Sequence, residues 1–178
     1  MTKETHKTGG FLLATTTLSL ITLDLHNIKF SYLIILLIIY YSFADIGSVF
    51  PDIDLKSSSI SKSHPFLWRS LGKHFRHRGF THSLLSIFTL IICSLFLIKA
   101  TYENEIIIIS CCGFIIGYLS HIILDLFNSQ GMELLFPFKA KIKVCNIKSA
   151  TPGEAFFHNI LKIILVIIIG KLVFKYIN

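Results

Sequence analysis

The segment YLIILLIIYYSFADIGSVF, residues 32–50, carries a single charged group, Asp45, and a run of that length and apolarity points to a lipid bilayer as its solvent. Comparable runs occupy Phe11–Leu23, Leu84–Ile98, Ile106–Phe127 and Ile160–Phe174. With 53% hydrophobic residues and a mean hydropathy of +0.69, the chain is too apolar for an ordinary soluble fold. The expectation is one integral-membrane domain over residues 1–178, an all-α, multi-pass helical bundle with four to five membrane helices. The first run is the short one. Its thirteen residues rise only about 20 Å against a hydrocarbon core of about 30 Å, so it is expected to half-insert or tilt into the bundle.

The formal net charge of +7 would suggest nucleic acid in a soluble protein. Here the cations sit in loops between apolar runs, and no nucleic-acid partner is expected. Residues 51–82 hold Lys56, Lys62, Arg69, Lys73, Arg76 and Arg78 against Asp52 and Asp54; residues 128–158 hold four lysines against Glu133 and Glu154. Basic loops stay in the cytoplasm, so the N-terminus and both long loops are placed inside a cell membrane. The short loops near Asp24–Lys29 and Thr101–Glu105 then lie outside. The opening resembles a signal peptide, but no small-x-small site closes its apolar run and Asp24 follows directly, so cleavage is not expected. Cys93, Cys111, Cys112 and Cys145 lack paired metal or redox spacing and read as reduced packing residues.

This topology brings the polar residues suited to metal chemistry to one end of different helices. His6 precedes the first run, Asp52 and Asp54 follow the second in FPDID, His77 and His82 precede the third, and His121 and Asp125 close the fourth. His121 and Asp125, four apart, share one helical face. A neutral imidazole and a carboxylate suit zinc or a comparable divalent ion, and a lone Asp in an apolar segment is costly. The plainer reading is a buried His–Asp hydrogen bond. Asn128 continues that face and can orient a ligand or cap the helix.

In PDID one carboxylate can bind metal while the other orients a histidine. His77 and His82 are five apart, which predicts a turn at Gly79, with Thr81 or Ser83 capping the helix that follows. Arg78 offers a planar guanidinium to phosphate, whereas Lys73 and Arg76 read as a basic flank for anionic lipid. Asp45, two turns deeper than Asp52, is either functional or bonded within the bundle. Glu154 and His158 repeat the four-residue spacing, and there a capped helix start is the favoured reading. His26, His64 and His74 have no partners at informative spacing.

PDID, HRGFTHSLL and GYLSHIILD, in this order between apolar helices, resemble the YdjM-like family of membrane-bound metal-dependent hydrolases. The resemblance runs from His6 to about Pro137. That family is in turn similar to the zinc-dependent phospholipase C and single-strand nuclease superfamily, which implies phosphoester hydrolysis. It assigns metal roles to His6, Asp52, His77, His82, His121 and Asp125. Where relatives have His after PDID this chain has Leu55, and no further His-x-x-x-acid pair completes a three-ion site, so one or two ions are implied.

The function expected is a metal-dependent hydrolase at the cytoplasmic membrane surface, cleaving a phosphoester such as a phospholipid head group. Its cofactor is a divalent metal, zinc first, and membrane lipids are its partners and substrate. Arg78 steadies the anion and Asp54 serves as general base or as orienter of a ligand. The alternatives are a non-enzymatic metal carrier and a membrane module that binds lipid phosphate or a partner through its basic loops.

Overall fold

The computed structural model describes residues 1–21 and 29–177. Among the described residues, each apolar run is helical over nearly all of its length. In chain order these are α1 (Lys3–Leu20), α2 (Phe30–Val49), the short α3 (Ser59–Ser63) and α4 (Pro65–Ser70), α5 (Leu84–Ala100), α6 (Glu105–Leu126) and α7 (Pro152–Ile177). Among the described residues there is no strand, only two isolated bridges, Asn128–Ile147 and Met132–Ile142. The expected loop at Asp24–Lys29 falls, apart from Lys29, outside the described residues, and so does His26.

Three helical stretches are long and apolar enough to cross a membrane: Phe30–Asp54, Glu105–Leu126 and Pro152–Lys175. The two remaining runs fall short for different reasons. Helix α5 has 17 residues, a rise of about 26 Å. Helix α1 has 18 but begins eight residues before its apolar run, taking in Lys3, Glu4 and Lys7. One face of its polar first half is buried by neighbouring helices, with Thr5, His6, Gly9 and Gly10 all covered.

The bundle is built on α6, which packs most extensively against α2, while α1 lies against both and is itself covered by α7. Close approach of α2 and α6 depends on glycine. A Cβ on Gly117 would overlap the Ala44 carbonyl oxygen, and one on Gly113 would overlap that of Tyr40. Ala14, Tyr40 and Ala44 fill the middle of this contact. Helix α5 touches only α6 to any extent among the long helices.

The helix ends explain where the polar loops go. Pro51 opens a 3-10 turn, Phe50–Asp54, that carries PDID off the end of α2. Ser83 caps α5 by accepting from the Ser86 amide at 3.2 Å, and Asn104 caps α6 through the Ile106 amide at 3.0 Å. The result places the N-terminal ends of α1, α5 and α7 beside the C-terminal ends of α2 and α6.

Candidate metal centre

At this end of the bundle the three motifs meet. The bend in HRGFTHS is made by Arg78, which has φ +64°, while the expected hinge, Gly79, has φ −91°. Arg78 accepts this left-handed geometry because both neighbouring peptide groups are tied. Its N–H donates to Asp54 Oδ2 at 3.1 Å, and its carbonyl accepts from the Glu133 amide at 3.0 Å. A 3-10 turn, Phe80–His82, then swings His82 inward to full burial.

Four ligand atoms converge from three separate segments. His82 Nε2 and His121 Nε2 lie 3.2 Å apart. Asp52 Oδ1 is 3.7 Å from the first and 3.8 Å from the second; Asp125 Oδ2 is 3.7 Å and 4.0 Å from them. Ligand atoms on a tetrahedral zinc, at bonds of about 2.0–2.2 Å, sit about 3.3–3.6 Å from one another. The measured separations straddle that range. Three overlapping groupings could each hold an ion: His82, His121 and Asp125; His6, Asp52 and His121; and Asp52, His77 and His82. All six expected metal residues therefore gather at one place, Asp52 being common to the last two groupings.

Hydrogen bonds aim the imidazoles. His121 Nδ1 lies 2.7 Å from the Ser48 carbonyl; a carbonyl only accepts, so Nδ1 carries the proton and Nε2 turns its lone pair to the centre. Asp54 does the same on the other side. It receives His77 Nδ1 at 2.8 Å and Thr81 Oγ1 at 2.5 Å, and its Oδ2 lies 3.3 Å from His82 Nδ1. With both oxygens engaged and the residue buried, Asp54 is arranged as an orienter of histidines. Burial opposes the charged form of His82, but the Asp52 and Asp54 carboxylates outweigh it and hold the imidazole up at about 9. A metal ion must displace that proton to bind.

His6 stacks on His121 with ring centroids 3.7 Å apart and planes 9° from parallel. It is 1% exposed, and neither ring nitrogen has a hydrogen-bond partner. Its Nε2 is 3.4 Å from Asp125 Oδ1. Burying an imidazole whose Nδ1 is unanswered and whose Nε2 has only a long contact to a carboxylate is expensive, and coordination would satisfy it. Cations also gather on Asp125, with Arg78 Nη2 at 3.2 Å and the Met1 amino group at 3.1 Å. Asp52 and His77 keep side-chain exposures of 23% and 29%, which leaves the centre open on their side.

The other polar candidates lie elsewhere. Asp45 pairs with Lys7 Nζ at 2.6 Å. Glu154 accepts from the amides of Thr2 and Ala150, and His158 bonds Thr8 Oγ1; this pair ties α7 to α1. Asn128 neither touches the ligands nor caps α6 through its side chain. It accepts from the Gln130 amide and donates to Ser149, fixing the following loop. His64 and His74 are exposed.

A family model described as YdjM inner membrane protein matches residues 1–177. The chain belongs to the YdjM family. Inner membrane protein YdjM of Escherichia coli K12 is 34% identical over 94 residues, 53% of this chain and 47% of that protein. The protein YvsG of Bacillus subtilis is 38% identical over 99 residues, 56% of this chain and 58% of YvsG. The chain thus spans about half the length of these curated relatives. No solved structure matches it.

This YdjM-family centre depends on residues the motifs did not single out. The Tyr118 hydroxyl donates to the Thr81 carbonyl at 2.5 Å and lies 3.1 Å from Ser86 Oγ, pinning the loop that carries His82. Tyr118 stands three residues before His121, on the same helical face, which is the signal that could have found it. The Ser48 carbonyl has no sequence signal at all, because any residue supplies one.

Proposed function

We propose that the protein is a membrane-bound, metal-dependent hydrolase acting on a phosphoester, with the head group of a membrane phospholipid as substrate class. The observation that carries the reading is the meeting of His82, His121 and Asp125 within reach of one ion, with Asp52 Oδ1 3.7–3.8 Å from both imidazoles and an imidazole lone pair already turned inward. Zinc suits this mixture of nitrogen and oxygen ligands. A divalent ion held there supplies Lewis acidity and water activation near neutral pH. His6 adjoins it, and His77 with Asp52 offers a place for a second ion on the open side.

The chain's own groups then divide the work. Asp54 fixes the His77 and His82 rings, and the Ser48 carbonyl fixes His121, so that the imidazoles are oriented before an ion binds. Arg78 lies against Asp125 with its Nε unpartnered, and it holds a phosphate oxygen in this reading. In this reading the basic loops keep the centre and the N-terminus at the cytoplasmic surface, and α1 and α5 add to the three long spans to make four to five crossings. The distant likeness to zinc-dependent phospholipases C belongs to the same proposal. A metal conduit has less support, since Asp45, the deeper acidic residue on its path, is already paired with Lys7.

The test is metal content and turnover of phospholipid by the purified protein. One or two equivalents of divalent ion and activity lost in His121→Ala support the proposal; protein purified without metal, or full activity in that variant, contradicts it.

A further inference from the structure

Two apolar cavities lie end to end along α5. One, of about 350 Å³, is lined by Leu90, Cys93 and Leu97 of α5, with Ile107, Cys111 and Phe114 of α6 opposite. The other, of about 200 Å³, begins at the same Leu90 and continues past Ser86 and Tyr118 to Phe75, Ile53 and Thr81. The α5 residues 86, 89, 90, 93, 94 and 97 form one face at helical spacing, about 16 Å long. Phe43 of α2 also lines the first cavity, and Phe50 at the end of α2 lines the second. The groove runs between α5 and α6 beside α2, and it ends against Ile53 and Thr81. Ile53 lies between Asp52 and Asp54, and Thr81 precedes His82.

The surroundings of the two ends differ. The far end is mainly apolar and uncharged, with Phe43, Leu97 and Ile107 around it beside Ser94 and Ser110. Beside the near end, exposed Lys73 and Arg76 flank Phe75, Arg76 being paired with Glu133, and the lining residues Ile53 and Thr81 adjoin Asp52 and His82 in the chain. An apolar groove with a basic side chain and the His/Asp cluster near one end matches one chemistry, an anionic amphiphile with a single extended hydrocarbon chain in the groove. The opposite face of α5 exposes Phe88, Ile92 and Phe96, an ordinary surface for bulk lipid, so the groove is a separate seat.

We infer that this groove binds an acyl chain of an anionic phospholipid and draws its phosphate toward the His/Asp centre. The inference rests on the hydrolase reading for the purpose of the seat, but occupancy is measured without turnover. The experiment uses the full chain in phosphatidylcholine vesicles doped with phosphatidylglycerol bearing a diazirine near the end of one acyl chain, irradiated and mapped by peptide mass spectrometry.

Adducts on residues 90–97 and 107–114 should exceed those on the lipid-facing side of α7 by about tenfold, equivalent to about 1.4 kcal/mol. Unlabelled phosphatidylglycerol should compete them away, and Ser94→Trp or Cys111→Trp should remove them. In detergent, the same lipid should slow maleimide modification of Cys93 and Cys111 but not of Cys112, a comparison that needs no variant. Adducts spread evenly over α5 and α7, a partner protein in place of lipid on the groove peptides, or equal protection of all three cysteines would overturn the inference. Specific labelling in a protein that holds no metal would retire the hydrolase reading and leave the seat standing; turnover without groove labelling would do the reverse.

Discussion

Helices α6 and α7 each carry a histidine and a carboxylate four residues apart, and the two pairs have opposite fates. His121 and Asp125 are 0% and 1% exposed, and they face ligand atoms from two other segments. Glu154 and His158 look toward α1 and are used in holding it, through Thr2 and Thr8. Hydropathy does not separate the helices, for both are apolar enough to cross a membrane. Burial does, since much of the α6 span is covered by protein and very little of the α7 span is. Spacing makes a pair able to share a ligand; what the rest of the fold brings opposite decides whether it does.

The sharpest break between the pairs is metal content. His121→Ala or Asp125→Ala should weaken binding of a divalent ion by more than about 100-fold, because outer contacts alone are worth about 10–100-fold. Glu154→Gln and His158→Ala should leave it unchanged, as read by calorimetry and elemental analysis. Equal losses from both pairs would erase the distinction.

Next in size is Asp54→Asn, which keeps shape but removes the charge that orients His77 and His82. Affinity should fall about 10–100-fold with the number of bound ions retained. A variant that loses an ion outright would make Asp54 a ligand.

The pH dependence follows from His82, held at about 9 by Asp52 and Asp54 against an ordinary value of 6.5. The ion must displace this proton, so affinity should climb by up to about tenfold per pH unit between these values and flatten above. His158→Ala should not alter the slope. Stability of the metal-free fold runs the other way, for a pKa raised on folding contributes stability that is whole below 6.5 and is lost as pH rises through about 9. Chemical denaturation across that window reads the sign.

The smallest effect belongs to α7. Glu154→Gln should cost about 1 kcal/mol of stability, as loss of a charged acceptor at a helix start does, seen as a lowered Tm with the metal site intact.

These contrasts also show what the chain made legible. His121 with Asp125, PDID and HRGFTHS each pointed to the centre because their residue types are costly next to lipid unless they meet a partner. All three helix-end groups are found together. The apolar run at Phe11–Leu23 was misleading about α1, whose helix starts at Lys3, because hydropathy reports lipid contact and one face of the first half of α1 is covered by protein. Placing the bend at Gly79 relied on glycine's freedom, whereas Arg78 takes the left-handed position under two long-range hydrogen bonds that no local pattern encodes. The stacking of His6 on His121, the Ser48 carbonyl and the double use of Asp54 likewise arise only when distant segments pack.

The most direct test of the central claim is anomalous diffraction at the zinc edge from crystals of the unaltered protein grown in lipid with zinc present. The account predicts a peak within bonding distance of His82 Nε2, His121 Nε2 and the Asp125 carboxylate. Density confined to the Glu154–His158 pair, or no peak between the two buried imidazoles, would contradict it.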